Sequence, residues 1–150
     1  MTDDQRPLMD PAEYAALVRD ATDEQLAAGM AANRDLILEQ IFAAMPSQLN
    51  TEAAAGVTLV ADWKILDRPD GGFDRWQITI ADGTCTVVRD GNRDPEVTFA
   101  VNAVDFVKLV TGNANGPKLF VFGSLAIKGD LLKAARYQRY FRQPSVKPDS

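Results

Sequence analysis

The feature that most constrains how this chain can fold is a change in the spacing of its apolar residues. In the middle of the sequence, apolar and polar residues alternate with a period of two, which predicts half-buried β-strands. Four segments carry this alternation: residues 57–65, 76–80, 85–87 and 97–101. Asp82 followed by Gly83 is typical of a two-residue hairpin, and residues 69–72 form a second turn signal. We therefore predict four strands connected as an antiparallel meander.

Helical patterns precede the predicted strands. Asp10 and Pro11 suit the start of a short helix that ends before Thr22. Thr22 and Gln25 then match a capping box, which predicts a second and longer helix. Apolar residues spaced three or four apart mark one face of that helix. Pro46 ends it, because proline cannot continue the hydrogen-bond ladder.

The last third of the chain returns to helix and adds one strand. Asn102 is a suitable N-cap for a helix that Gly112 ends. Residues 113–118 predict a loop, and residues 125–127 predict a short fifth strand. Asp130 suits the N-cap of a last helix that carries apolar side chains along one side. We therefore expect one domain in which helices surround a central sheet.

The composition removes several kinds of catalytic site. The 150 residues include no histidine and one cysteine, so histidine-activated nucleophiles and the common zinc sites are excluded. Cys85 falls at a core-facing strand position and is predicted to be a buried structural residue. Residues 90–94 resemble the start of a calcium-binding loop, but Pro95 and Val101 stand where such a loop needs glycine and glutamate. We expect neither a metal nor a cofactor.

A carboxylate base in an apolar pocket would need no histidine, so an enzyme of the steroid-isomerase type is an alternative function. Most aspartates are explained as helix caps or turn residues. Asp62 is the least well explained, and we expect it at a sheet edge or on a solvent-exposed face. The chain is predicted to end in a helix, whereas such isomerases usually end in long strands. We therefore expect a protein that is not an enzyme.

The charge distribution bears on possible partners. With a net charge of −5, the chain lacks the excess of cations on which general nucleic-acid binding depends, so we expect no nucleic-acid partner. The chain has no apolar run long enough to span a membrane, and we expect a cytoplasmic protein. Lys133, Arg136 and Arg139 share one side of the last helix. That side is either a solvated surface or a transient contact with an anionic membrane or an acidic partner, which leaves a protein-interaction module as a further alternative.

Apolar residues are concentrated late in the chain. Four of the seven phenylalanines fall within residues 99–122, close to further leucine and valine residues. A packed core and an apolar cavity require the same residue types, so the composition of this segment leaves both possibilities open.

These segments resemble a known family. Residues 94–112 (DPEVTFAVNAVDFVKLVTG) and 115–141 (NGPKLFVFGSLAIKGDLLKAARYQRYF) are similar to the sterol carrier protein type 2 (SCP-2) family of lipid-binding domains. Residues 41–56 and the hairpin at 81–91 resemble the earlier part of the same domain. The similarity covers about residues 34–142, and from it we expect a bacterial-type, stand-alone member of the family.

The resemblance implies a fold, a division of the chain and a site. The fold is of the mixed α/β (α+β) class, with a five-stranded, mostly antiparallel sheet covered by helices and an apolar tunnel between them. Residues 22–143 would form this domain, residues 1–21 an N-terminal helical arm, and residues 144–150 a flexible tail. The matching tunnel-wall positions are Phe99, Phe106, Leu109, Val110, Phe120, Phe122, Leu131 and Ala135. Ser124 stands where the family often has lysine.

The function implied by the resemblance is non-enzymatic binding, and transfer, of lipids such as fatty acyl chains or sterols. The expected partner is therefore a hydrophobic small molecule. The identity of that molecule and the oligomeric state stay open at this point.

Overall fold

A computed structural model describes residues 11–142 of the chain. The predicted cap at Asp10 and the predicted tail from residue 144 lie outside the described residues. The helices and strands, in chain order, are α1 (Pro11–Asp20), α2 (Asp23–Ala44), a 3-10 turn (Met45–Gln48), β1 (Leu59–Leu66), β2 (Asp74–Ala81), β3 (Thr84–Arg89), β4 (Val97–Asn102), α3 (Ala103–Val110), α4 (Gly116–Val121), β5 (Leu125–Gly129), α5 (Leu131–Tyr137) and a second 3-10 turn (Gln138–Tyr140).

The five strands form one sheet in the order β3-β2-β1-β4-β5. Three of the four pairings are antiparallel, which confirms the mostly antiparallel sheet. The predicted four-strand meander is wrong at its fourth strand, because β4 pairs with β1 in the parallel direction. Alternation fixes which face a side chain occupies, and it contains no information about strand direction. The connection at residues 90–96 is what carries the chain back across the sheet from β3 to the far side of β1.

Specific hydrogen bonds hold this crossing connection against the outer face of the sheet. The Gln77 side-chain amide donates to the Arg93 carbonyl at 2.9 Å, and its oxygen accepts from the Arg93 backbone amide at 3.1 Å. Arg75 donates to the Gly91 carbonyl at 2.6 Å. A Cβ at position 91 would lie only 2.8 Å from the Cβ of Gln77, so this close crossing requires glycine.

The crossing connection also explains why Asp62 is buried. The prediction that Asp62 lies at a sheet edge or on a solvent-exposed face is wrong, because Asp62 lies on the central strand β1 and is only 4% exposed. Its carboxylate accepts hydrogen bonds from Arg75 at 3.0 Å and from Gln77 at 2.8 Å. A buried carboxylate is tolerated because charged and amide donors satisfy it.

A second buried carboxylate ties α2 to one end of the sheet. Asp74 accepts hydrogen bonds from Arg34 at 2.7 Å, from Arg89 at 2.8 Å and from Arg68 at 3.3 Å. Arg34 also donates to the carbonyl of Ile65 at 2.7 Å. This cluster joins the helix, β1, β2 and β3, so it fixes the position of α2 over the sheet.

Local sequence signals place the helix ends. The capping box at Thr22, the N-cap at Asn102 and the N-cap at Asp130 all form as predicted. The predicted loop at residues 113–118 is too long, because the Asn115 side chain accepts from the Lys118 amide and starts α4 at Gly116. Asparagine is a favoured N-cap, and proline is tolerated in the first turn of a helix, where its missing amide hydrogen leaves no bond unmade.

The apolar core lies between the inner sheet face and the helices. Phe42 from α2 stacks on Trp76 at 4.7 Å and on Phe106 at 5.2 Å between ring centroids. Cys85 is buried in the same core, which confirms its predicted structural position. Helix α1 joins the assembly through the Asn113 side chain, which donates to the Ala15 carbonyl at 2.9 Å.

Candidate functional site

A cavity of about 760 Å³ opens between the inner face of the sheet and the helices. This volume lies within the range of about 300–1,000 Å³ that is usual for small-molecule sites. The surface of the cavity is mainly apolar. It therefore offers an apolar surface to an apolar molecule of substantial size.

Strands β1, β4 and β5 supply the floor of the cavity. Trp63 and Phe99 are register partners on β1 and β4, and their rings stack with centroids 4.6 Å apart. Phe99 and Ile127 are partners on β4 and β5. All three point to the same side because register partners share a sheet face, and all three line the cavity.

Helix α5 and the residues after it supply the opposite wall. Leu131, Ala135 and Gln138 follow each other at helical spacing and all border the cavity. Tyr137 anchors this wall to the floor, because its hydroxyl accepts a hydrogen bond from the Trp63 indole at 3.0 Å. Burial raises the pKa of the Tyr137 hydroxyl, so the group stays neutral at physiological pH.

The predicted wall residues divide into two groups. The cavity is lined by six of the eight: Phe99, Leu109, Val110, Phe120, Leu131 and Ala135. Phe106 is fully buried and packs edge-on against Trp63 at 5.2 Å, so it contacts the floor without lining the cavity. Phe122 follows the end of α4 and is 77% exposed. Whether the six lining residues contact a ligand stays a prediction.

Other lining residues are not among the predicted ones. Tyr14 and Leu17 of α1 border the cavity, although α1 lies outside the region of family resemblance. Ile37 and Ile41 of α2 border it as well. Their spacing of four residues was the available signal, since it places both on one helix face.

A few polar groups lie along the cavity surface. The backbone amide of Arg142 donates to the Gln48 carbonyl at 2.8 Å, which brings these two residues together at one side. Gln40 and Gln138 also line the cavity. Within residues 11–142, no side-chain hydrogen bond involves any of these four residues, so their side chains are available to a polar group of a ligand.

The cavity offers few side chains that could act as catalytic groups. Its lining, as far as the structure describes the chain, contains neither aspartate nor glutamate. Asp62 lies on the outer face of the sheet, where Arg75 and Gln77 occupy its carboxylate. Burial raises the pKa of the Cys85 thiol to about 11, so this thiol is not a reactive thiolate at neutral pH.

Two further findings concern the described part of the chain as a whole. Residues 11–142 contain no group of three or more acidic or cysteine side chains placed to hold a metal ion. None of the helices in this part has the length and the apolar character that crossing a bilayer requires.

The fold and the cavity together define a class of protein: a mixed α+β domain that keeps an apolar cavity between a five-stranded sheet and its helices. The chain belongs to the SCP-2 sterol transfer family, whose sequence model matches residues 38–142. This family consists of lipid-binding and lipid-transfer domains.

Individual relatives agree with this assignment. The oleate-induced peroxisomal protein POX18 of Candida maltosa is 31% identical over 84 residues, which span 55% of this chain and 66% of that protein. The sterol carrier protein 2 of Yarrowia lipolytica, solved in its apo form, superimposes with a TM-score of 0.56 at 22% identity over 70% of this chain and 86% of that one.

An enzyme also contains a similar unit. The sec-alkylsulfatase Pisa1 from Pseudomonas sp. superimposes with a TM-score of 0.62 at 18% identity. The match covers 77% of this chain but 18% of the sulfatase. At such identities the likeness shows a shared fold and does not extend to activity.

Proposed function

We propose that this protein binds a lipid in the cavity between the sheet and α5. The observation that carries the proposal is the combination of an apolar cavity of about 760 Å³ with membership of the SCP-2 sterol transfer family. The proposed ligands are fatty acyl chains, sterols or molecules of similar shape. Transfer of the bound lipid to an acceptor is part of the same proposal.

The driving force is desolvation of the ligand. Each methylene group that leaves water for the cavity contributes about 0.8 kcal/mol. The aromatic floor of Trp63 and Phe99 is fixed by stacking and by the Tyr137 hydrogen bond. A floor fixed before binding reduces the ordering cost that association must overcome.

We assign the ligand contacts to the six predicted residues that line the cavity. Phe106 acts indirectly in this proposal, by holding Trp63 in place. The unpaired polar side chains of Gln48 and Gln138 are suited to a ligand head group. This arrangement favours an amphiphile over a hydrocarbon with no polar end.

The proposed role is not enzymatic. An isomerase-type reaction would need a carboxylate base beside the ligand, and Asp62 lies outside the cavity in a hydrogen-bonded cluster. The partial likeness to a sulfatase supports a shared structural unit without adding reacting groups to this cavity. We further propose a cytoplasmic location for the protein.

The proposed division of the chain has residues 22–143 as the lipid-binding domain and residues 1–21 as an accessory arm. Tyr14 and Leu17 of this arm border the cavity. The arm would therefore complete one side of the binding site.

Two adjacent leucines provide a matched test of the proposal. Leu131 is 56% exposed and lines the cavity, whereas Leu132 is 60% exposed and does not. Kd for a fluorescent fatty acid, measured by titration, should rise at least about tenfold in Leu131→Asp, because a charge then borders the apolar chain. Leu132→Asp should bind as the wild type does. Equal effects in the two variants, or no probe binding by the wild type at micromolar concentration, would overturn the proposal.

A further inference from the structure

A single charged side chain borders the cavity, as far as residues 11–142 describe its lining. This residue is Arg142, which is exposed and directly follows Phe141. Within the same range, its guanidinium forms neither an ion pair nor a hydrogen bond. The planar fork of N–H donors on arginine matches the geometry of a carboxylate. Arg142 therefore offers a binding group for an anion at the border of an otherwise uncharged cavity.

Backbone pairing fixes Arg142 beside Gln48. Leu49 and Phe141 form an antiparallel bridge. The Arg142 amide donates to the Gln48 carbonyl on one side of this bridge, and a second backbone hydrogen bond closes the other side, both at 2.8 Å. This register places Gln48 directly opposite Arg142, and opposite residues of an antiparallel pair project to the same side with Cβ atoms about 5 Å apart. Both residues border the cavity, so their side chains can reach the same head group.

No acidic side chain competes for Arg142 in the two segments that meet here. Residues 45–50 and 135–142 contain three arginines and neither aspartate nor glutamate, although the whole chain has a net charge of −5. Asp130 lies at the opposite end of α5, where it caps the helix. An anion beside Arg142 therefore meets a locally positive environment.

The polarity of the lining changes along α5. Leu131 and Ala135 border the cavity within the helix, Gln138 borders it directly after the helix, and Arg142 borders it beyond the second 3-10 turn. The Gln138 amide nitrogen lies so close to Gly116 of α4 that a Cβ at position 116 would collide with it. An alkyl chain beside α5 would thus contact apolar side chains. An ionised head group beside the exposed Arg142 would keep its contact with water, which avoids most of the cost of burying a charge.

We propose that Arg142 binds a singly charged head group such as a carboxylate and makes the cavity selective for anionic amphiphiles over uncharged lipids. Gln48 donates a second hydrogen bond to the head group, and the alkyl chain extends from there along α5 towards Leu131. One cation matches one negative charge, whereas a phosphate monoester carries about −1.5 to −2 at neutral pH. This inference rests on the proposed lipid-binding function and identifies the class of lipid and its orientation.

Dodecanoate and dodecanol test the selectivity, because they have the same number of carbons and differ in the charge of the head group. Kd for each is measured by isothermal titration calorimetry. The wild type should bind dodecanoate more tightly, and salt should weaken the binding of dodecanoate alone. Arg142→Gln should raise Kd for dodecanoate about fivefold, which is modest for a charge-assisted hydrogen bond because Arg142 is exposed. Kd for dodecanol should stay within about twofold, and Arg142→Lys should keep the preference for dodecanoate because the positive charge remains.

Arg139 provides the matched control. It is an exposed arginine on the second 3-10 turn, three residues before Arg142, and it does not border the cavity. Arg139→Gln makes the same change in net charge and should leave both Kd values within about twofold of the wild type. Equal losses of dodecanoate binding in Arg139→Gln and Arg142→Gln would overturn the inference. An equal loss of dodecanol and dodecanoate binding in Arg142→Gln would do so as well, because the substitution would then act on the cavity instead of the head group.

The uncharged ligand separates this inference from the proposed function. A wild type that binds dodecanol as tightly as dodecanoate refutes the head-group selectivity alone and leaves lipid binding in place. A wild type that binds neither ligand at micromolar concentration refutes the lipid-binding proposal.

Discussion

Replacing Ala135 with leucine tests whether the space beside α5 is a ligand site. Ala135 borders the cavity, with Leu131 one helical turn before it. The substitution adds three carbons that extend into the cavity. A ligand chain that occupies this space in the wild type would be displaced from a volume equal to that of the added carbons.

The expected effects on binding and on stability differ in size. Displacing three methylene groups costs about 2.4 kcal/mol at about 0.8 kcal/mol each, which corresponds to a roughly 50-fold increase in Kd. The cavity of about 760 Å³ has room for the added carbons when no ligand is present. The free energy of unfolding of the ligand-free protein should therefore stay within about 0.5 kcal/mol of the wild-type value.

Two assays and one control complete this test. Kd is measured by displacement of a fluorescent fatty acid, and the free energy of unfolding by urea titration of the delipidated protein. Ala28→Leu on an exposed part of α2 makes the same chemical change away from the cavity. A loss of about 1–3 kcal/mol in Ala135→Leu would indicate an overpacked core instead of a cavity. An unchanged Kd would show that the ligand does not lie beside Ala135.

Three further substitutions or conditions probe the framework around the cavity. Asp74→Asn should lower the free energy of unfolding by about 3 kcal/mol, because it removes the buried carboxylate with which Arg34 and Arg89 pair. Asp70→Asn, at an exposed pair, should cost less than about 1 kcal/mol in the same urea titration. Tyr137→Phe leaves the Trp63 indole donor unpaired and should cost about 1–3 kcal/mol; a change below about 0.5 kcal/mol in thermal unfolding would contradict the hydrogen bond's role. Cys85 should resist maleimide at pH 8 until the protein is unfolded, as followed by mass spectrometry. Because burial raises the pKa of Cys85 to about 11, the unfolded state loses this proton first, and stability should fall as the pH rises from about 9 towards 11. Rapid labelling of the native protein would contradict both statements.

Features encoded within a few neighbouring residues could be predicted from the sequence. Thr22, Asn102 and Asp130 cap their helices with partners two or three positions away. The inward positions of Trp63 and Phe99 follow from the alternation along each strand. Such features depend on local geometry, and local geometry is set by residue type.

Features that depend on distant partners could not be predicted in this way. The parallel pairing of β1 with β4 depends on how residues 90–96 cross the sheet, and the spacing of apolar residues is the same for either direction. Asp62 is buried because Arg75, Gln77 and the crossing connection cover it. Nothing within a few residues of Asp62 indicates these contacts.

The candidate site also combines features that neighbouring residues determine with features that depend on distant partners. Phe99 and Phe106 are similar as sequence features, yet Phe99 borders the cavity and Phe106 packs against Trp63. The difference follows from tertiary packing, because Phe106 on α3 is also covered by Phe42 of α2. Phe122 belongs to an apolar run, but the end of α4 turns it towards solvent.

Native mass spectrometry of the purified protein, combined with analysis of its organic extract, tests the central claim most directly. Lipid binding in the cavity predicts a complex with one bound lipid, or a ligand-free protein that takes up one added fatty acid at micromolar concentration. The fraction of protein that carries the bound lipid should decrease in Ala135→Leu and stay unchanged in Ala28→Leu. A wild-type protein that neither retains lipid from the cell nor binds added fatty acid or sterol would contradict the account.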